Sequence, residues 1–197
     1  MPDHVFADLP PEEAAELISL AHDTAADAQA YLDAVTELAA GSLSESEISV
    51  LLLPLSKLLL TGARLGANRD VVPSERFEPD SGPDPELDPL RAGLANFFEG
   101  VDEYADIADP MTDPQRVRGS LSDDLADVAA DLVHGLRHYR SGRIDEALWW
   151  FQFSYLSTWG LRAASALRVL QSMVSHLLLD VDDETVADAE FDALHAH

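Results

Sequence analysis

The chain has no cysteine. Disulfides, thiolate metal sites and cysteine nucleophiles are therefore excluded. Positive charge is scarce. One lysine, Lys57, and eleven arginines face 37 acidic residues, for a formal net charge of −25. Contacts to a nucleic-acid backbone need clustered Lys and Arg, so direct nucleic-acid binding is disfavoured, as is an anionic membrane surface. Long apolar runs are missing as well. The most apolar stretch, SVLLLPLSKLLL at 49–60, is short and interrupted by Pro54, Ser56 and Lys57, so it is not expected to span a bilayer. The start, MPDHVFADLPPEEA, has no basic n-region and no apolar h-region, which predicts no signal peptide and a cytoplasmic location. No GxxxxGK[ST], GxGxxG or GxSxG occurs. Acidic residues are so frequent that no Asp/Glu pair stands out as a general acid and base. The sequence assigns no catalytic residue and implies no cofactor.

What is present is helical periodicity, with no alternating run rich in β-branched residues. A chain of 197 residues suits one domain, 1–197, with an acidic Pro-rich loop at 67–89 and an acidic tail at 180–197. The first helix is expected over 11–40, after Pro10 and Pro11, with Glu12, Glu13 and Glu16 at its positive dipole end and Gly41 as its stop. The second opens on a capping box, Ser44-Glu45-Ser46-Glu47, and runs to Gly66 with a kink at Pro54. The third is expected over 86–107, with Leu90, Leu94, Phe97, Phe98, Val101 and Tyr104 inward, and then a loop, DPMTDPQRVRGS. The fourth starts at Leu121, capped by Ser120, and ends at Ser141-Gly142.

From Ile144 the apolar positions Leu148, Phe151, Tyr155, Trp159, Ala163, Ala166, Leu170, Met173 and Leu177 recur at steps of three and four. They predict one long helix over 143–179, with Gly160 as the place for a break or bend. A second stripe, Trp149, Phe153 and Leu156, predicts contact with two neighbours. The expected fold is thus an all-α, single-domain bundle of about five main helices, with the long C-terminal helix central.

Three constellations stand out. Trp150 falls on the polar face of the long helix, where either a desolvated Trp anchors a partner, with Arg143, Glu146 and Ser154 as a polar rim, or a neighbouring loop covers it. Arg162 falls near the apolar stripe, so a half-buried ion pair with Asp127 or Asp131 is expected. Asp127, Asp131, His134 and His138 share the fourth helix's other face. His-x-x-x-His spacing can hold a divalent metal, whereas a solvated charged face explains the same residues. The turn YRSGRIDEALWWF is like a tetratricopeptide hairpin, but no second copy exists, so a solenoid is excluded.

Residues 120–178 resemble the bacterial domain of unknown function 5063 family. The resemblance is carried by SLSDDLADVAADL (120–132), GL at 135–136, Tyr139, GRIDEALWWFQFSY (142–155), WG at 159–160 and ALRVL (166–170), with LLLPL (51–55) as a weaker match. Similar proteins often carry His or an aromatic at position 158, where this chain has Thr158. The resemblance implies no activity and transfers no catalytic residue. Its relatives in high-GC bacteria, encoded near a recombination-repair protein, suggest a DNA-repair or recombination factor as partner. The reading from sequence is a non-enzymatic protein-interaction module for a partner with a basic surface. The alternative is a small-molecule- or metal-binding helical-bundle enzyme. The oligomeric state is not legible.

Overall fold

The computed structural model of the chain describes residues 6, 9–41, 48–68, 71–73, 86–109 and 111–195, with side chains described as far as 179. The element order is α1 (Pro11–Ala39), α2 (Ser49–Ala67), α3 (Asp88–Phe97), β1 (Glu103–Asp109), β2 (Asp113–Ser120), α4 (Leu121–Arg140), α5 (Ile144–Ser154), a π turn (Tyr155–Trp159) and α6 (Gly160–His195). The all-α expectation holds, with one small hairpin added. The capping box at 44–47 and most of the Pro-rich loop lie outside the described residues.

α1 begins on Pro11 with Glu12 and Glu13 in its first turn, and Gly41 follows its end at a φ of 67°. Its stripe, Leu17 through Leu38, is buried against α2, α3 and α4. Tyr31 is fully buried, and its hydroxyl donates to the Leu125 carbonyl at 2.8 Å, so α1 and α4 are fixed by a bond as well as by packing. α2 keeps Pro54 inside it. By length and composition α2 could cross a membrane, contrary to expectation. Its Leu51, Leu55, Leu58 and Leu65 are buried in the bundle, and the core helix of a globular bundle meets the same description.

The C-terminal rod is continuous from Ile144, as expected, and passes Gly160 without a break. The irregularity is the π turn just before it, where the Gly160 N–H bonds back to the Tyr155 carbonyl. Phe151, Trp159, Ala163, Ala166 and Leu170 are fully buried. The second stripe is only partly covered: Trp149 is half-buried, while Phe153, stacked on it, and Leu156 are exposed. The rod continues to His195, so the backbone of the acidic tail prolongs α6.

The hairpin corrects the sequence reading. The third helix ends at Phe97 rather than near 107, and Gly100, at a φ of 84°, turns the chain away. Leu94 and Phe98 are buried as expected, whereas Val101 is exposed. β1 and β2 pair antiparallel, Glu103 opposite Ser120 and Ile107 opposite Arg116. Tyr104 fits the helical stripe only by coincidence of spacing. The same residues, Glu-Tyr-Ala-Asp-Ile, alternate with period two once the helix has stopped. Asp109 closes the turn, its carboxylate accepting from the Met111 N–H at 2.7 Å and the Thr112 hydroxyl at 2.7 Å.

Candidate functional site

The hairpin stands off α6 and leaves a groove of about 1080 Å³. One wall is β1, Tyr104 to Asp109. The other is Leu161, Arg162, Ala164, Ser165 and Arg168 of α6. Asp124 of α4 forms part of its floor.

The local sequence sets this geometry. Ser120 ends β2 and caps α4, its hydroxyl oxygen accepting from the Asp123 N–H at 3.2 Å. Asp102, just before β1, accepts from the Ser122 N–H at 2.8 Å and from the Ser120 and Ser122 hydroxyls at 2.9 Å each. A carboxylate at a helix N-terminus is favoured by the helix dipole. The base of the hairpin is thereby fixed to the first turn of α4. Tyr104 reaches from β1 to donate its hydroxyl to Asp124. Asp106, two residues on, accepts from the Ser165 hydroxyl at 2.6 Å and from Arg168 at 3.0 Å, which tethers the arm to α6.

Arg162 is the hub of the floor. Its guanidinium lies 2.9 Å from Asp124 and 3.1 Å from Asp127, and Arg91 of α3 bridges Asp127 at 2.9 Å and Asp123 at 2.5 Å. The ion pair read from the sequence is therefore formed through Asp127. The nearer carboxylate, Asp124, was not singled out, although it lies one helical turn before Asp127 and faces the same way. Asp131 feels the Arg162 charge only at a distance, with no direct ion pair among the described residues, and accepts from the Thr158 hydroxyl. Burial pushes the Asp124 carboxyl above its ordinary range, against the opposing pull of Tyr104 and Arg162. Burial, reinforced by Asp124, also raises Tyr104, so the phenol keeps its proton and remains a donor.

Trp150 is not the exposed anchor expected. It is half-buried between α5 and α4, its indole N–H donating to the Asp131 carbonyl at 2.8 Å and its ring lying 4.0 Å from that of His134. Glu146 and Ser154 are buried rather than forming a rim, and Arg143 donates to His138 Nδ1 at 3.3 Å. The physical reason is the α4–α5 hairpin, which lays one polar face on the other. A face that is polar in sequence need not face water.

The same packing governs Asp127, Asp131, His134 and His138. They are not a solvated face, since His138 is fully buried and His134 is half-buried against Trp150 and His138. Among the described residues no group of three or more His, Asp or Glu side chains is arranged to hold a metal ion. Asp127 is engaged by two arginines and Asp131 by Thr158, which draws these carboxylates away from a shared centre. In the groove itself Ser165 donates to Asp106, and no histidine is among the lining residues.

Fold and site together define a helical bundle with a hairpin arm over a charge-balanced groove. The chain belongs to the family described as a domain of unknown function (DUF5063), whose model matches residues 16–176. The match reaches well beyond the C-terminal block into α1. A solved structure, that of protein BF1032 from Bacteroides fragilis, is similar in fold, with a TM-score of 0.56 and 17% identity over 82% of this chain and 91% of that one. No curated protein matches the chain.

Proposed function

We propose that the chain is a non-enzymatic interaction module that receives a protein partner with a basic surface at the groove between the hairpin and α6. The observation that supports this is the state of the groove. Its floor groups are engaged with one another (Tyr104 and Arg162 with Asp124, Ser165 and Arg168 with Asp106), while its rim carries exposed Ile107, Met111 and Leu161. Met111 is 88% exposed and Leu161 72%. Satisfied floor groups offer little to proton transfer, whereas an apolar rim beside balanced charges suits a protein contact. The chain's net charge of −25 steers cationic partners toward it. A DNA-repair or recombination factor, with a basic face of its own, is the partner class suggested by the family resemblance.

The test is affinity capture from native extract at low and high salt, with the wild-type chain beside a Leu161→Asp variant. A protein held at low salt, released at high salt and lost with the variant supports the reading. Capture that ignores both salt and Leu161 overturns it.

A further inference from the structure

We infer that the groove takes its partner as an added β-strand: an extended segment of alternating apolar and basic residues pairs with the open edge of β1. This rests on the interaction reading above and names its mode.

The ladder sets which backbone groups are available. The Leu121 N–H bonds the Asp102 carbonyl at 3.0 Å, continuing the register in which Glu103 opposes Ser120. In an antiparallel ladder bonded and non-bonded pairs alternate. Tyr104 and Asp106 therefore exchange bonds with β2, and the N–H and C=O groups of Glu103, Ala105 and Ile107 point away from it. Among the described residues none of these outward groups is bonded by the rest of the chain. Successive residues from Tyr104 to Asp109 all line the groove, although their side chains alternate between the helices and solvent. The edge of the strand thus opens onto the groove. Three outward residues match a segment of roughly five residues, about 17 Å long.

Edge strands are ordinarily guarded by lysine, proline, inward charges or bulges. β1 has no lysine and no proline, and its register irregularity is confined to its far end, between Ile107 and Asp109, beyond the three outward residues. The inward charge at the centre of β1, Asp106, is already neutralised by Arg168. At the tip, Asp109 and Asp113 stand opposite each other, and neither forms an ion pair among the described residues. Like charges facing each other across a ladder are unfavourable, and hydrogen bonds from the Thr112 hydroxyl and the turn amides keep Asp109 ionised. A cationic residue at that end of the added strand relieves the repulsion. Leu161, on the helix side of the groove, gives its apolar side chains a surface. Strand addition of this kind draws affinity from main-chain bonds and specificity from alternate side chains.

The probe is a synthetic nine-residue peptide alternating valine and arginine, titrated at low salt into the full chain with its backbone amides followed by NMR. Two controls are the same peptide N-methylated at alternate amides and the Ala105→Pro protein. Proline is tolerated where an edge N–H faces outward, so the variant keeps the hairpin and loses the central donor. The expected result is shifts centred on Glu103, Ala105 and Ile107, with binding weakened about tenfold or more by either change. The N-methylated peptide leaves the protein untouched, so the outcome stands even if the proline variant unfolds. Equal binding of the plain and N-methylated peptides, shifts lying elsewhere on the acidic surface, or no binding of the plain peptide each overturns strand addition. The interaction reading survives those results and fails only if capture ignores both salt and Leu161.

Discussion

Arg162 and Asp124 meet at 2.9 Å beneath the groove and join α6 to α4 through a carboxylate whose side chain is only 10% exposed. The guanidinium is 44% exposed, so the pair lies between a surface bridge and a buried one. Arg162→Ala is expected to cost about 1–2 kcal/mol, below the cost of breaking a fully buried pair. Urea unfolding of the two proteins measures it. A loss under a few tenths of a kcal/mol would mean that Tyr104 alone holds Asp124.

Asp131 carries a pH dependence of definite sign. Burial raises its carboxyl above the ordinary value of 3.8, so the folded chain holds this proton more tightly than the unfolded one. The resulting stability is fully present below the unfolded value and is lost as pH rises through the folded one. Asp131→Asn keeps an acceptor for Thr158 and removes the titration. The variant should gain on the wild type as pH climbs from about 3.8, which unfolding curves at several pH values will read. Parallel curves for the two proteins would refute it.

The tryptophans separate by burial. Trp159 is fully buried, and Trp159→Ala should cost roughly 3–5 kcal/mol. Trp150→Phe keeps a ring between α4 and α5 but loses the bond to the Asp131 carbonyl, at about 1 kcal/mol. Thermal and urea melts of both variants decide. A neutral Trp150→Phe would make that bond energetically idle.

Gly62 of α2 lies under the Tyr155 ring, and a Cβ there would come within 2.5 Å of it and 2.6 Å of Trp159. Gly62→Ala should destabilise by about 1–3 kcal/mol through overpacking, in spite of alanine's better helix propensity. A melt at or above the wild type would show that Tyr155 moves aside freely.

The long periodic segments were legible because their apolar stripes coincide with burial: Leu17 to Leu38 in α1, Leu121 to Leu136 in α4, Phe151 and Trp159 in the rod. The Ser120 cap was legible for the same local reason, a side chain bonding its own helix. Tyr104 was not, because a helical stripe and a strand share that position and only the bond to Asp124 decides between them. Trp150 and His138 were misplaced because a helical wheel sorts faces by polarity, and here two polar faces satisfy each other. The groove wall at Ser165 and Arg168 left no mark in the sequence. It depends on Asp106, 59 and 62 residues away along the chain.

The π turn also accounts for the stripe on the rod. From Phe151 through the half-buried Tyr155 and the buried Trp159 to Ala163 the inward positions advance by three steps of four, and an unbroken α-helix would overshoot whole turns by roughly 120° over that distance. The looser turn at Tyr155–Trp159 absorbs the excess like a spare link in a chain. The two halves of the rod are therefore phased independently. Losing a single residue within the turn would leave a smoother helix but rotate everything beyond it, carrying Arg162 away from Asp124 and turning Ser165 and Arg168 from the hairpin arm. The length of this stretch, more than the identity of its side chains, aligns the groove's far wall with the near one.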